Sequence, residues 1–138
     1  MRRWTRIFYF LPAAAHYGFI FFLSSQSSFP IEAPFEAFDK LAHFGLFALL
    51  GLFLSFGVFK STRLSLGIKI ALTLVTGAVL GVLDEAHQSA VPLRESDILD
   101  ALADIAGIAL GLIAYGFLTR TIFRRGQKKR EDIPFRNS

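Results

Sequence analysis

The stretch DILDALADIAGIALGLIAYGFL, residues 97–118, decides the fold. It spans 22 residues, and its only charges are Asp97, Asp100 and Asp104, all in the first eight. As a helix it is long enough to cross the roughly 30 Å hydrocarbon core of a bilayer. Asp97, Asp100, Asp104, Gly107 and Gly111 recur at intervals of 3, 4, 3 and 4 residues, which is the period of one helix face. A stretch that is apolar elsewhere, with one stripe acidic at its start and small at depth, reads as a membrane helix that buries this stripe against neighbours.

Three more segments share that character. Residues 7–23 run for 17 positions without a charge, interrupted only by Pro12 and His16. Residues 41–59 carry His43 as their one notable polar group. Residues 70–83 are clean but short, so the reading extends them to 64–83 and lets Lys69 snorkel to the interface. Backbone polar groups find no water in lipid, so such segments must be helical. The expectation is an all-α, polytopic membrane protein: a four-transmembrane-helix bundle over residues 1–118, with a basic tail over 119–138.

The whole chain agrees with this reading. Of its 138 residues 53% are hydrophobic and 19% charged, with a mean hydropathy of +0.48. These values exclude both an ordinary soluble domain and a disordered chain. Zero cysteines exclude disulfides, thiolate metal sites, cysteine nucleophiles and lipoprotein-type lipidation. A net charge of +4 points to nucleic acid only where the cations form one patch on a soluble domain. Here 13 of the 15 basic residues fall before the first segment, after the fourth, or at the link between the second and third, where Lys69 at the edge of the third is counted. By the positive-inside rule this makes both termini cytoplasmic. The basic tail then meets anionic lipid, and no nucleic acid is expected. The alternative for residues 7–23 is a signal peptide, but the apolar run is longer than usual and Ser25 and Ser27 match a cleavage site only loosely.

Nine of the 11 acidic residues gather on the opposite, outer side: Glu32, Glu36, Asp39, Asp84, Glu85, Glu95, Asp97, Asp100 and Asp104. His43, His87, Gln88 and Arg94 share that layer. Asp39 and His43 are four apart, so a carboxylate there can orient the imidazole. Gly77, Gly81, Asp84 or Glu85, and Gln88 make a matching stripe on the third helix. The third and fourth helices are therefore expected to pack through Gly77, Gly81, Gly107 and Gly111, with their carboxylates around a shared outer pocket. Asp104 lies about 10 Å along the helix from Asp97, where a carboxylate is costly. Arg94, His43, protonation or a bound cation would offset that cost. Asp39 and Asp97 have structural readings as helix-start residues, Glu95 reads as a solvated loop charge, and His16 as a hydrogen-bonded packing residue. His87 lies one step off the polar face and is secondary.

The order Asp39-Lys40-x-x-His43-Phe44, then Asp84-Glu85-x-x-Gln88, then Pro92-x-Arg94 followed by Asp100, Gly107 and Gly111, resembles the VanZ-like family of bacterial membrane proteins. The stretch from Phe22 to Gln26 is similar to that family too. The resemblance implies a multi-pass protein of the bacterial cytoplasmic membrane, and it associates the family with resistance to the glycopeptide teicoplanin. Its motif positions are Asp39, Lys40, His43, Asp84, Glu85, Gln88, Arg94, Asp100, Gly107 and Gly111. Asp104 departs from the pattern, which usually has asparagine there.

Two classes of function follow. In the first, an envelope protein binds the polar head of a lipid or lipid-linked wall precursor through Asp39, Lys40, His43, Asp84, Glu85, Gln88, Arg94, Asp100 and Asp104, with Lys40 and Arg94 meeting an anionic group. In the second, an enzyme acts on such a headgroup, with His43, Asp84 and Glu85 as catalytic candidates, or with Asp39, His43, Asp84 and Glu85 holding a divalent metal. Neither H-E-x-x-H nor G-x-S-x-G occurs. Proton or cation movement along Asp100 and Asp104 is a weaker option, because no charged residue continues that path down the helix.

Overall fold

The structure is a computed structural model that describes residues 3–27, 38–94 and 97–131, with side chains over 5–27, 38–94 and 97–121. A 3-10 segment, Arg3–Phe10, leads into α1 (Leu11–Ser24); α2 (Phe38–Ser61), α3 (Leu66–Gln88) and α4 (Ile98–Glu131) follow, and no strand occurs among the described residues. Four helical stretches are long and apolar enough to cross a membrane: Thr5–Ser24, Phe38–Ser61, Leu66–Gln88 and Ile98–Thr121. The expected four-helix architecture is therefore present.

Its boundaries differ from the expectation in three places, each for a physical reason. The first span changes from 3-10 to α next to Pro12, which occupies the opening turn of α1, where its missing N–H breaks no helical hydrogen bond. The third span does extend backward through Lys69, to Leu66, but it also runs forward through Asp84 and Glu85 to Gln88, because these polar groups are buried inside the bundle. The fourth helix continues past 118 to Glu131. Arginine and lysine are good helix formers, so losing the apolar pattern at the bilayer edge does not end the helix. The boundary expected at 118–119 is thus crossed by continuous helix. Glu32, Glu36 and Glu95 lie outside the described residues.

Burial is inverted relative to a water-soluble bundle. Large apolar side chains point outward along every helix, among them Phe22, Leu49, Val75, Val79, Ile113 and Phe117. Asp84, Asp104, Thr73 and Ser55 are nearly inaccessible. Outward apolar area on this scale is stable only against lipid or another apolar surface. The apolar core is small, built from Ala13, Ile20, Phe47, Leu50, Leu54 and Ile108.

α4 packs most intimately on α2. A Cβ at Gly107 would collide with the Phe44 carbonyl oxygen, and one at Gly111 with the carbonyl oxygen of Ala48. Gly51 of α2 likewise faces the Ile108 backbone. Gly77 and Gly81 of α3 meet α4 through the side chains of Ile108 and Asp104. The glycines therefore do not form one α3–α4 seam as expected. Gly107 and Gly111 serve α2, because α2 is the central helix, packed against the other three, and α4 turns adjacent faces to α2 and α3. Four short interactions fix the remaining register: Tyr17 Oη donates to the Leu80 carbonyl, 3.2 Å; His16 Nε2–H to the Leu46 carbonyl, 2.9 Å; Arg6 Nη1 to the Ser61 carbonyl, 3.3 Å; and Lys69 Nζ sits 5.3 Å from the centre of the Phe59 ring.

Candidate functional site

The C-termini of α1 and α3 meet the N-termini of α2 and α4 at one end of the bundle, and its polar side chains converge there. Seven of them are buried: Ser24, His43, Asp84, Glu85, Gln88, Asp100 and Asp104. Asp104 at 0%, Asp84 at 1% and Gln88 at 2% relative exposure form the centre.

Hydrogen bonds hold one oxygen of each central carboxylate. Asp104 Oδ1 accepts from His43 Nδ1, 3.1 Å. Asp84 Oδ2 accepts from Ser24 Oγ at 2.9 Å and from Gln88 Nε2 at 2.8 Å. Glu85 Oε2 accepts the Asp97 backbone N–H, 3.0 Å. The other oxygens, Asp104 Oδ2, Asp84 Oδ1 and Glu85 Oε1, are buried and have no hydrogen-bond partner among the described residues. Asp100 Oδ1 shares that state, although Lys40 Nζ approaches it to 3.4 Å. Orphaned buried acceptors are uncommon in folded proteins. Four at one end of one bundle call for a ligand, a proton or both.

Gln88 joins this group to the loop after α3. Its Nε2 also lies 3.4 Å from Ser24 Oγ and 3.4 Å from His43 Nε2, and its Oε1 accepts from Arg94 Nη1 at 3.3 Å. Donation from arginine to one end and acceptance by a carboxylate at the other fix the amide orientation. With Nδ1–H given to Asp104, His43 Nε2 is the ring acceptor that Gln88 approaches. Arg94 also donates to the Gln26 carbonyl at 3.1 Å and the Leu23 carbonyl at 3.4 Å, tying the α3–α4 loop to the end of α1. The loop bends back through Leu93, whose φ of 65° lies in the left-handed region.

Lys40 pairs with Asp97 Oδ2 at 2.7 Å and lies 3.4 Å from Asp100 Oδ1. Asp97 Oδ1 also accepts the Leu99 N–H at 2.9 Å, which makes Asp97 the N-cap of α4. The Lys40 ammonium, then the Leu99 N–H, hold the Asp97 carboxyl below the usual carboxylate range. The charge of Lys40 is thus engaged within the protein, and Arg94 is turned toward carbonyls and Gln88.

Some positions stand differently from the sequence expectation. His43 is hydrogen-bonded by Asp104, 61 residues away, and not by Asp39 on its own helix. Asp39 is exposed; it still comes near His43 and Asp100 as a second, more open acidic group. His87 lies off the centre, stacked on Phe21 at 4.2 Å and 2.9 Å from Ser25 Oγ. Ser24 is the functional residue that the sequence reading missed. Its signal was available: it lies in the family-like stretch from Phe22 to Gln26, at the point where an otherwise apolar helix turns polar.

A cavity of about 430 Å³ opens beside this cluster. Its walls are apolar, from Ile20, Leu23, Phe38, Ala42, Leu46 and Phe47; its polar lining is Ser24, Asp39, His43, Asp84, Gln88 and Arg94. The model of the VanZ/LLP1 family matches residues 3–122. The chain belongs to the VanZ/LLP1 family. The match includes all four apolar helical stretches and every member of the buried cluster of this VanZ/LLP1 protein. No curated protein and no solved structure matches it. His43, Asp84, Glu85 and Asp104 each offer a ligand atom within 4.8 Å of the others, so this buried set can hold a metal ion.

Proposed function

We propose that this VanZ/LLP1 protein lies in the bacterial cytoplasmic membrane with both termini inside, and that its acidic end faces outward and binds the polar head of a lipid or lipid-linked wall precursor. The observation that carries this reading is the cavity between α1 and α2, which is apolar along its walls and polar at Ser24, His43, Asp84, Gln88 and Arg94. Such a lining suits an amphiphile. A volume of about 430 Å³ accommodates a headgroup and its first carbons and leaves long chains in the bilayer. The distribution of basic residues supports the orientation, and the basic end of α4 is placed to attract anionic lipid.

A second reading, catalysis on the same headgroup, is favoured by one feature. His43 lines the cavity while its Nδ1 is held by the buried Asp104, an arrangement that suits an imidazole acting as general base through Nε2. Incubating the purified protein in nanodiscs with cell-envelope lipids, followed by mass spectrometry of the lipids, tests both. Retention of a discrete lipid class by wild type and its loss in Asp84→Asn supports binding; conversion of that lipid supports the enzyme. Retention no different from an empty nanodisc, with no lipid converted, overturns both. If the ligand is a wall precursor, expression also shifts teicoplanin susceptibility, and Asp84→Asn abolishes the shift.

A further inference from the structure

The geometry points to a divalent transition-metal site formed by His43, Asp84, Glu85 and Asp104, at the junction of α2, α3 and α4 beneath the cavity. The site goes beyond headgroup binding, since these four residues can hold an ion with or without a lipid.

Three observations carry it. First, the four ligand atoms lie within 4.8 Å of one another. Ligands of a tetrahedral ion bound at 2.0 to 2.2 Å are about 3.3–3.6 Å apart, so side-chain movements of about 1 Å close the shell. Second, the three carboxylates have the same unusual state. In each, one oxygen is held by a protein donor, and the other is buried without a partner. For Asp84 and Glu85 the donors, Ser24, Gln88 and the Asp97 N–H, stand outside the four ligands, and outer hydrogen bonds of that kind are the usual support of a metal ligand; Asp104 is held by His43, itself one of the four. Glu85 Oε1, one of the free oxygens, faces His43 Nδ1 at 4.0 Å. Third, burying three carboxylates together is costly. One imidazole offsets at most one of them, whereas a dication offsets two.

The donor set selects the ion. Imidazole with carboxylates suits the series from Mn2+ to Zn2+ better than Ca2+ or Mg2+, which favour all-oxygen shells. His43 and Asp84 also line the cavity, so an ion held between them has a side open to whatever occupies it. The ligand set differs from the one suggested by the sequence: Asp104 replaces Asp39, because Asp39 is exposed whereas Asp104 is enclosed and bonded to His43.

The test uses the full chain in nanodiscs, stripped with chelator, dialysed, and titrated with Mn2+ alone. One Mn2+ per chain is expected, with affinity at least tenfold weaker in Asp84→Asn and Asp104→Asn and within twofold of wild type in Arg120→Gln, exposed at the opposite end of α4. The electron spin-echo spectrum of Mn2+ on wild type should carry a nitrogen modulation that His43→Gln removes; this readout needs no carboxylate variant to fold. Fewer than one ion per ten chains, equal binding by the two buried variants and wild type, or no nitrogen modulation overturns the site. Chelated protein that retains lipid but binds no Mn2+ removes the metal and leaves the headgroup reading standing. Tight Mn2+ binding with no retained lipid does the reverse.

Discussion

The middle of the bundle and its acidic end solve opposite packing problems. In the middle, Gly51, Gly107 and Gly111 let α2 and α4 approach until backbone meets backbone, with Leu50, Leu54 and Ile108 filling what remains. At the acidic end the same helices close around His43, Asp84, Glu85 and Asp104, and leave an oxygen of each carboxylate without a partner. Close apolar packing stabilises a membrane bundle cheaply. A half-satisfied polar cluster does not. The contrast separates what holds the helices together from what they are held together to do.

The largest effect should come from breaking the middle. A side chain at Gly111 collides with the Ala48 carbonyl, a backbone atom that cannot turn aside. Gly111→Val is expected to cost about 3 kcal/mol or more, read as loss of the monodisperse species and a lowered thermal midpoint in detergent. A variant as stable as wild type would show that the α2–α4 seam is looser than described. His43→Ala strikes the other region. It leaves Asp104 Oδ1 without its donor, which should cost about 1–3 kcal/mol, together with loss of lipid retention. Unchanged stability and retention would remove the dyad from the site.

Gly81→Ala probes the border between the two regions. Its Cβ would come 3.1 Å from both Cβ and Oδ2 of Asp104, a contact that a modest shift relieves. The expected cost is about 1 kcal/mol, with a larger proportional loss of lipid binding than of stability. Equal losses would mean that Gly81 only packs. The smallest effect belongs to Asp97, at the solvent edge. Lys40 holds its folded-state carboxyl below the usual range, so its contribution is present above the ordinary aspartate value near 3.9 and is lost as pH falls through the lower folded value. The gap in thermal midpoint between wild type and Asp97→Asn should therefore be constant near neutrality and close only in acid. A gap that widens in acid would reverse the assignment.

The sequence showed the four spans because length and hydropathy are local properties. It showed the polar layer because three motifs fall at corresponding ends of successive helices. It did not show where α3 ends, because a run of Asp84, Glu85 and Gln88 reads as a membrane boundary until their burial among neighbours is known. It paired His43 with Asp39, four residues away, because spacing along one helix is visible in sequence and contact across helices is not. Ser24 was passed over for the same reason: one of four serines that follow an apolar run becomes a donor to Asp84 only when α1 lies beside α3.

By itself, the sequence determined that this chain is a four-helix membrane protein of basic and acidic ends, since the bilayer imposes helix, length and hydrophobicity on every span. The tertiary structure alone decided that α2 stands at the centre, that the glycines of α4 serve it, and that Asp104 answers to His43. Those assignments depend on which face of each helix meets which neighbour. Helical periodicity makes a stripe, but only packing chooses its partner.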